Sequence, residues 1–369
     1  MKIVLITFPR LETAAGGEQW ISEVSCRLSE RGNNVTVISS NRGEVINYTL
    51  SQSLADHGVD YVMYKTASQL LTLPSFSSIL KISRILNDTD VVYFVYFGGG
   101  LEIILILFHF LKGTKIIAGF HSKFKDVNGA NLTNKIYDAA FGRRGMRFAR
   151  HFNAFHVINE EDLEFLEKHN FNPSFLIPNG VNTDFFTPCN KNNIFTILFV
   201  GRFIEGKGVL RLKSINSAIN KIIENYKIIL VGEGSCKNRV MSEMQNDNII
   251  FRGWVTGTPL KELFCTSHVL LVPSLDESFS LVTLESLSSG TPVVGSNIVP
   301  LNKNIESGIN GYLGDDDKAL ADGILKIYNT WKSDPEGYSK MSSLCREKAR
   351  KFDWVNEIVP RLSNMLDSL

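Results

Sequence analysis

Arg202 and Lys207 sit five positions apart on a glycine-rich turn, Gly201-Arg202-Phe203-Ile204-Glu205-Gly206-Lys207-Gly208, that follows the apolar run 194–200. The spacing imitates the Gly-x-x-x-x-Gly-Lys of a phosphate-binding P-loop, which needs Ser or Thr at the next position to hold magnesium. That position is Gly208, and no clear magnesium-holding Asp follows a hydrophobic strand downstream. What remains is a pair of fixed cations at the C-terminal end of a strand, able to neutralise a diphosphate leaving group without metal. A solvated basic turn is the alternative.

A second constellation occupies 272–287, Val-Pro-Ser-Leu-Asp-Glu-Ser-Phe-Ser-Leu-Val-Thr-Leu-Glu-Ser-Leu. A strand predicted over 268–272 runs into a loop, and the loop into a helix starting near Ser280 or Leu281. The free N–H groups and positive dipole end at that start suit an anion. Glu277 falls in the loop and Glu285 about one turn inside the helix. A carboxylate accepts two hydroxyls at once, so the pair could grip a polyol at two places. Otherwise Glu277 is a helix-start charge and Glu285 a surface residue. The run Asp315-Asp316-Asp317 imitates an Asp-x-Asp metal site, yet it precedes a helix at Lys318-Ala319-Leu320-Ala321, and capping explains it. No metal is expected.

These residues need a scaffold that ends several strands together. Short apolar runs alternate with helical patterns along the whole chain, which predicts doubly wound parallel sheets. Strands are expected at 2–8, 34–39, 90–97, 115–120 and 153–158, and again at 194–200, 226–231, 248–251, 268–272 and 292–295. A helix over about 18–31 joins the first two, stopped by Gly32. The Pro- and Asn-rich stretch 177–190 is the natural linker, with one domain over 1–187 and a second over 188–352. The tail is helical, broken near Phe352-Asp353-Trp354 and kinked or interrupted at Pro360, and about 353–369 is expected to pack back on the first domain. Two such domains leave a central cleft walled by the C-terminal ends of both sheets.

Composition excludes several classes. With 369 residues, 44% hydrophobic and 21% charged, the chain is an ordinary two-domain globular protein. A net charge of +1 gives no reason to expect a nucleic-acid binder. Five scattered cysteines without a Cys-x-x-Cys pair argue against zinc and against a secreted disulfide framework, and fit the cytoplasm. The run 101–111 is too short to span a bilayer and carries Glu102, so a buried helix is expected there.

The segments 200–208 and 273–285 together resemble glycosyltransferase family four, retaining enzymes of the GT-B fold. Ile177-Pro178-Asn179-Gly180-Val181, Gly290-Thr291-Pro292-Val293-Val294 and Gly308-x-Asn310-Gly311-Tyr312-Leu313 extend the likeness. Pro9 to Glu18 looks like the family's glycine-rich first loop. The resemblance implies two Rossmann-like domains and transfer of a hexose from a nucleoside-diphosphate sugar, such as a UDP-sugar, to a glycan or lipid-linked acceptor. Surface polysaccharide, glycolipid or glycoprotein-glycan synthesis is the setting it implies. No cofactor is required beyond the donor. It gives Arg202 and Lys207 the donor diphosphate, Glu285 the ribose hydroxyls, and Glu277 with the backbone of Ser278, Phe279, Ser280 and Leu281 the donor sugar and distal phosphate. Gly16 and Gly17 would allow close approach of the first loop, and His121, after strand 115–120, would meet the sugar's C6 hydroxyl.

The chain departs from the pattern at Ser278 and Ser280, where glycine is more usual. That bears on the donor's identity more than on the reaction. A basic run, Arg143, Arg144, Arg147 and Arg150 interleaved with Met146 and Phe148, would suit anionic lipid at the inner face of the cell membrane, an acceptor phosphate, or plain solvent. Three rival readings stay open: a sugar-phosphate synthase or glycogen-synthase-like enzyme that differs only in its acceptor, a GT-B-fold epimerase acting on the nucleotide sugar itself, and a non-catalytic sugar-binding protein.

Overall fold

The computed structural model describes residues 1–8, 10–13, 16–43, 48–67, 74–95, 105, 112–121 and 150–369. They form two compact units, Met1–Pro178 with Val359–Leu369, and Asn179–Ile358. Residues 179–187, which the linker composition assigns to the first half, thus fold with the second. Val181 bridges Asp353 in parallel and Thr183 Oγ1 donates to the Asp353 carboxylate at 2.6 Å. A Cβ on Gly180 would stand 2.4 Å from the Trp354 ring.

The first unit holds a parallel sheet of β1 (Lys2–Thr7), β2 (Asn34–Ser40), β3 (Asp60–Tyr64), β4 (Val91–Val95), β5 (Lys115–Phe120), β6 (Ala154–Val157) and β7 (Ser174–Leu176). Their order is β3-β2-β1-β4-β5-β6-β7, so the winding reverses between β1 and β4. The second unit holds β8 (Phe195–Val200), β9 (Tyr226–Val231), β10 (Ile249–Gly253), β11 (Val269–Val272), β12 (Val293–Ser296) and β13 (Gly311–Gly314). Here the order is β10-β9-β8-β11-β12-β13, with the reversal between β8 and β11. In open α/β sheets ligands bind beyond the strand C-termini at such a reversal, because the following loops diverge there.

Helices cover both faces of a parallel sheet, so its strands read as continuous apolar runs. All five residues of β4 are buried, as are Phe195, Ile197 and Phe199 in β8. Three strands have no such run and escape the sequence reading. β3 is an edge strand with exposed Met63, β7 is a three-residue edge, and β13 is bounded by two glycines. The segment 101–111 lies outside the described residues except for buried Leu105. Pro360, expected to kink or interrupt the last helix, stands where the π-helix Trp354–Ile358 gives way to the α-helix Val359–Asp367.

The cysteines bring a correction. Cys189 and Cys265 form a disulfide, with Cα atoms 5.3 Å apart across 76 residues of sequence. One precedes β8 and the other precedes β11, and these strands are neighbours, which spacing along the chain does not reveal. Among the described residues no helix is long and apolar enough to cross a membrane.

Candidate active site

In the second unit, the loops after β8 and β11 are stitched together at the sheet reversal. Leu275 N donates to Gly206 O at 2.9 Å. Gly208 has φ +66°, and a Cβ there would fall 1.9 Å from Pro273 O, so only glycine lets the two backbones close. This brings Lys207 and Glu277 together: Lys207 Nζ donates to Glu277 Oε2 at 2.7 Å, and Ser274 Oγ donates to Oε1 at 2.8 Å. Glu277 is 5% exposed and Lys207 26%, so the carboxylate is the buried member. The Ser274 role was not read from the sequence. An ammonium has three donors and each carboxylate oxygen two lone pairs, so both partners keep capacity for a ligand. Arg202 is exposed, and no side-chain hydrogen bond or ion pair to it occurs among the described residues.

Helix Leu281–Ser288 begins directly beyond this pair. Its N-cap, Ser280, is buried and left-handed at φ 67°, with Oγ 2.8 Å from Thr283 Oγ1. That is a glycine conformation held by a serine, costing about 1–3 kcal/mol, as expected where the usual glycine is replaced. Glu285 lies on this helix, half-buried, and burial pushes its carboxyl up to about 7. No side-chain partner for it occurs among the described residues. The three aspartates each have a protein partner. Asp316 accepts from Ala319 N at 2.7 Å as a helix cap, Asp317 pairs with Arg211 at 2.6 Å, and Asp315 accepts from Asn297 at 3.0 Å.

In the first unit, Gly16 and Gly17 open helix Gly16–Glu30 after β1. Among the described residues nothing lies within 4 Å of a Cβ built on Gly17, so their packing does not require a glycine there. One turn on, Trp20 stacks on His121 at 4.4 Å between ring centroids. His121 follows β5 and joins a buried network that sequence reasoning missed. Tyr93 Oη is 2.9 Å from His121 Nε2 and 2.5 Å from His156 Nδ1, and His156 Nε2 is 2.7 Å from Ile177 O. Burial pushes the imidazole of His121 well below its usual range, with His156 adding to it, and holds His156 at about 4. The available signal was a histidine and a tyrosine inside otherwise apolar strands β6 and β4.

Arg143, Arg144 and Arg147 lie outside the described residues. Arg150 is exposed, its guanidinium 5.6 Å from the Phe171 ring centre.

Known proteins match along most of the chain. A family model described as Glycosyltransferase Family 4 matches residues 14–185, and one described as Glycosyl transferases group 1 matches residues 194–330. An uncharacterised 41.2 kDa protein in the cps region of Klebsiella pneumoniae is 31% identical over 180 residues, which is 46% of this chain and 48% of that one. The chain therefore spans about half the length of that relative. The phosphatidylinositol N-acetylglucosaminyltransferase gpi3 subunit of Schizosaccharomyces pombe is 23% identical over 96% of this chain and 78% of its own. Among solved structures, Anabaena Alr3699/HepE in complex with UDP-glucose superposes with a TM-score of 0.78 at 16% identity, covering 100% of both chains. With two parallel α/β units of this topology and both family models aligned along it, the chain belongs to glycosyltransferase family four and has the GT-B fold.

Proposed function

We propose that this chain is a retaining glycosyltransferase that moves a hexose from a nucleoside-diphosphate sugar to a hydroxyl of a glycan or lipid-linked acceptor, in glycolipid or surface-polysaccharide synthesis. The observation that carries it is the Lys207–Glu277 pair, held at the sheet reversal by two stitched loops. Lys207 has donors left for diphosphate oxygens beyond the one given to Glu277, and exposed Arg202 adds a second cation. Glu277, fixed by Lys207 and Ser274, has lone pairs left for hydroxyls of the sugar. Glu285 would take the ribose hydroxyls. Open space at Gly17 admits a phosphate or acceptor close to the backbone.

The reaction breaks the bond from the anomeric carbon to the diphosphate oxygen and forms one from the same carbon to the acceptor oxygen. Charge develops on the leaving diphosphate, where Arg202 and Lys207 offset it without a metal. The reading is a same-face substitution, in which the acceptor enters on the face the diphosphate leaves, rather than one through a covalent intermediate; among the described residues no carboxylate is an unambiguous nucleophile. A phosphate oxygen takes the acceptor's proton. The relative named as a phosphatidylinositol N-acetylglucosaminyltransferase subunit, and the structural neighbour in complex with UDP-glucose, support this reading.

A thermal-shift screen of nucleoside diphosphates and their sugars tests it, because no acceptor is needed. Stabilisation by one nucleotide family, followed by transfer into an acceptor extract in the presence of EDTA, is the expected result. Altered free sugar released without acceptor would point to an epimerase instead, and binding of free sugar alone to a non-catalytic protein.

A further inference from the structure

The buried network around His121 assigns every proton in it. Ile177 O only accepts, so His156 Nε2, 2.7 Å away, carries hydrogen. A neutral His156 then has a bare Nδ1, and Tyr93 Oη at 2.5 Å must donate to it. Having given its one proton, Oη accepts at 2.9 Å from His121 Nε2. His121 is thereby left with an unprotonated Nδ1, which is buried and has no partner among the described residues. Nothing among the described residues donates to it, so Nδ1 is the one atom of the network left to accept from a ligand hydroxyl.

We propose that Tyr93 and His156 are positioning residues for His121: the relay from Ile177 O through His156 and Tyr93 fixes His121 as the Nε2–H tautomer, so that Nδ1 accepts a hydrogen bond from a hydroxyl of the sugar substrate. The proposal rests on the reading of His121 as a sugar-contacting residue. Two neighbours hold the geometry. A Cβ on Gly119 would fall 1.9 Å from Tyr93 Oη, so glycine on β5 is what lets the hydroxyl reach over the strand. Trp20 packs at a tilt against both rings, 4.4 Å from His121 and 4.9 Å from Tyr93 between centroids, which limits rotation of both. The direction matters chemically. A bare Nδ1 selects a substrate position that can donate, as a hydroxyl does and an ether or a deoxy carbon does not.

Long-range 15N–1H spectra of the full chain labelled at its histidines read the tautomer directly, without substrate. The wild type is expected to show His121 with Nε2 protonated and Nδ1 bare. Tyr93→Phe and His156→Phe should lose that state, whereas His156→Asn, whose Oδ1 still accepts from Tyr93, should retain it. Turnover of the nucleotide sugar should follow the spectra, with kcat/KM falling about tenfold in the two phenylalanine variants and recovering in His156→Asn. Melting curves check that each variant is folded. A wild-type His121 protonated at Nδ1 overturns the relay, as does Tyr93→Phe with an unchanged tautomer or an unchanged kcat/KM. If the wild type turns over no nucleotide sugar, the proposed function falls, and the spectra still decide the relay.

Discussion

In the second unit the candidate groups are charged and answer one another across two loops, Lys207 to Glu277, with Arg202 exposed nearby in sequence. In the first unit they are neutral rings in the interior, His121, Tyr93, His156 and Trp20, joined by hydrogen bonds and stacking. Each material suits where it lies. A cation that is to meet a diphosphate must stay charged, so it remains at a loop where water still reaches it. A hydrogen bond whose direction must be fixed works best with neutral partners that burial keeps from titrating. On the proposed roles, neutralising charge falls to one sheet and orienting hydroxyls to the other.

The sharpest way to break this contrast is to compare Lys207→Ala with His121→Ala. Removing a group that stabilises leaving-group charge should cut turnover by about 10²–10³-fold, while removing a neutral orienting contact should cost about tenfold. Steady-state kinetics on the two variants decide it, and equal losses would dissolve the division. Next in size is Glu285, the second unit's one strongly perturbed candidate. Its carboxyl stands near 7 against an ordinary 4.5. Because the folded value is raised, nothing is lost below about pH 4.5, and the penalty grows until it is complete above about pH 7. Glu285→Gln should thus be more stable than wild type by about 1–3 kcal/mol near about pH 8, the gap closing toward about pH 4. Denaturant melts across pH would refute this if the gap were constant.

Gly119→Ala tests the interior of the first unit. Its methyl group must displace Tyr93 Oη, and overpacking of this kind costs about 1–3 kcal/mol. Urea titration gives the stability, and the His121 tautomer should scramble in the same variant. The smallest effect expected is from Ser280→Gly, which relieves the left-handed serine and should raise stability by about 0.5–1 kcal/mol. A loss of stability there would mean that the Ser280–Thr283 contact outweighs the strain.

How much of this was readable beforehand differs between the two units for a physical reason. Lys207 and Glu277 each follow an apolar strand within a dense run of glycine, proline and polar residues, so local sequence marks both loops. Their meeting follows from the reversal between β8 and β11 once a doubly wound sheet is predicted. Tyr93 and His156 carry no local mark beyond a polar atom in a buried strand, and they are 63 residues apart. Only the pairing of β4, β5 and β6 puts them beside His121. Ser280 was noticed as a departure from glycine, but its φ had to be seen to explain the consequence. The disulfide between Cys189 and Cys265 depended likewise on strand neighbours rather than on spacing.

The return of the chain to its first unit has a consequence for how the protein is made. Helix Val359–Asp367 places Leu362, Met365 and Leu366 against Ile3, Leu5, Trp20 and Tyr93, and Arg361 Nη2 donates to Leu176 O at 2.8 Å. That helix is translated after all of the second unit. The first unit therefore lacks one wall of its core until the last helix has been made, although most of its strands are made before the second unit. The part made first must wait for the part made last, and until then the apolar residues around Trp20 lack that cover.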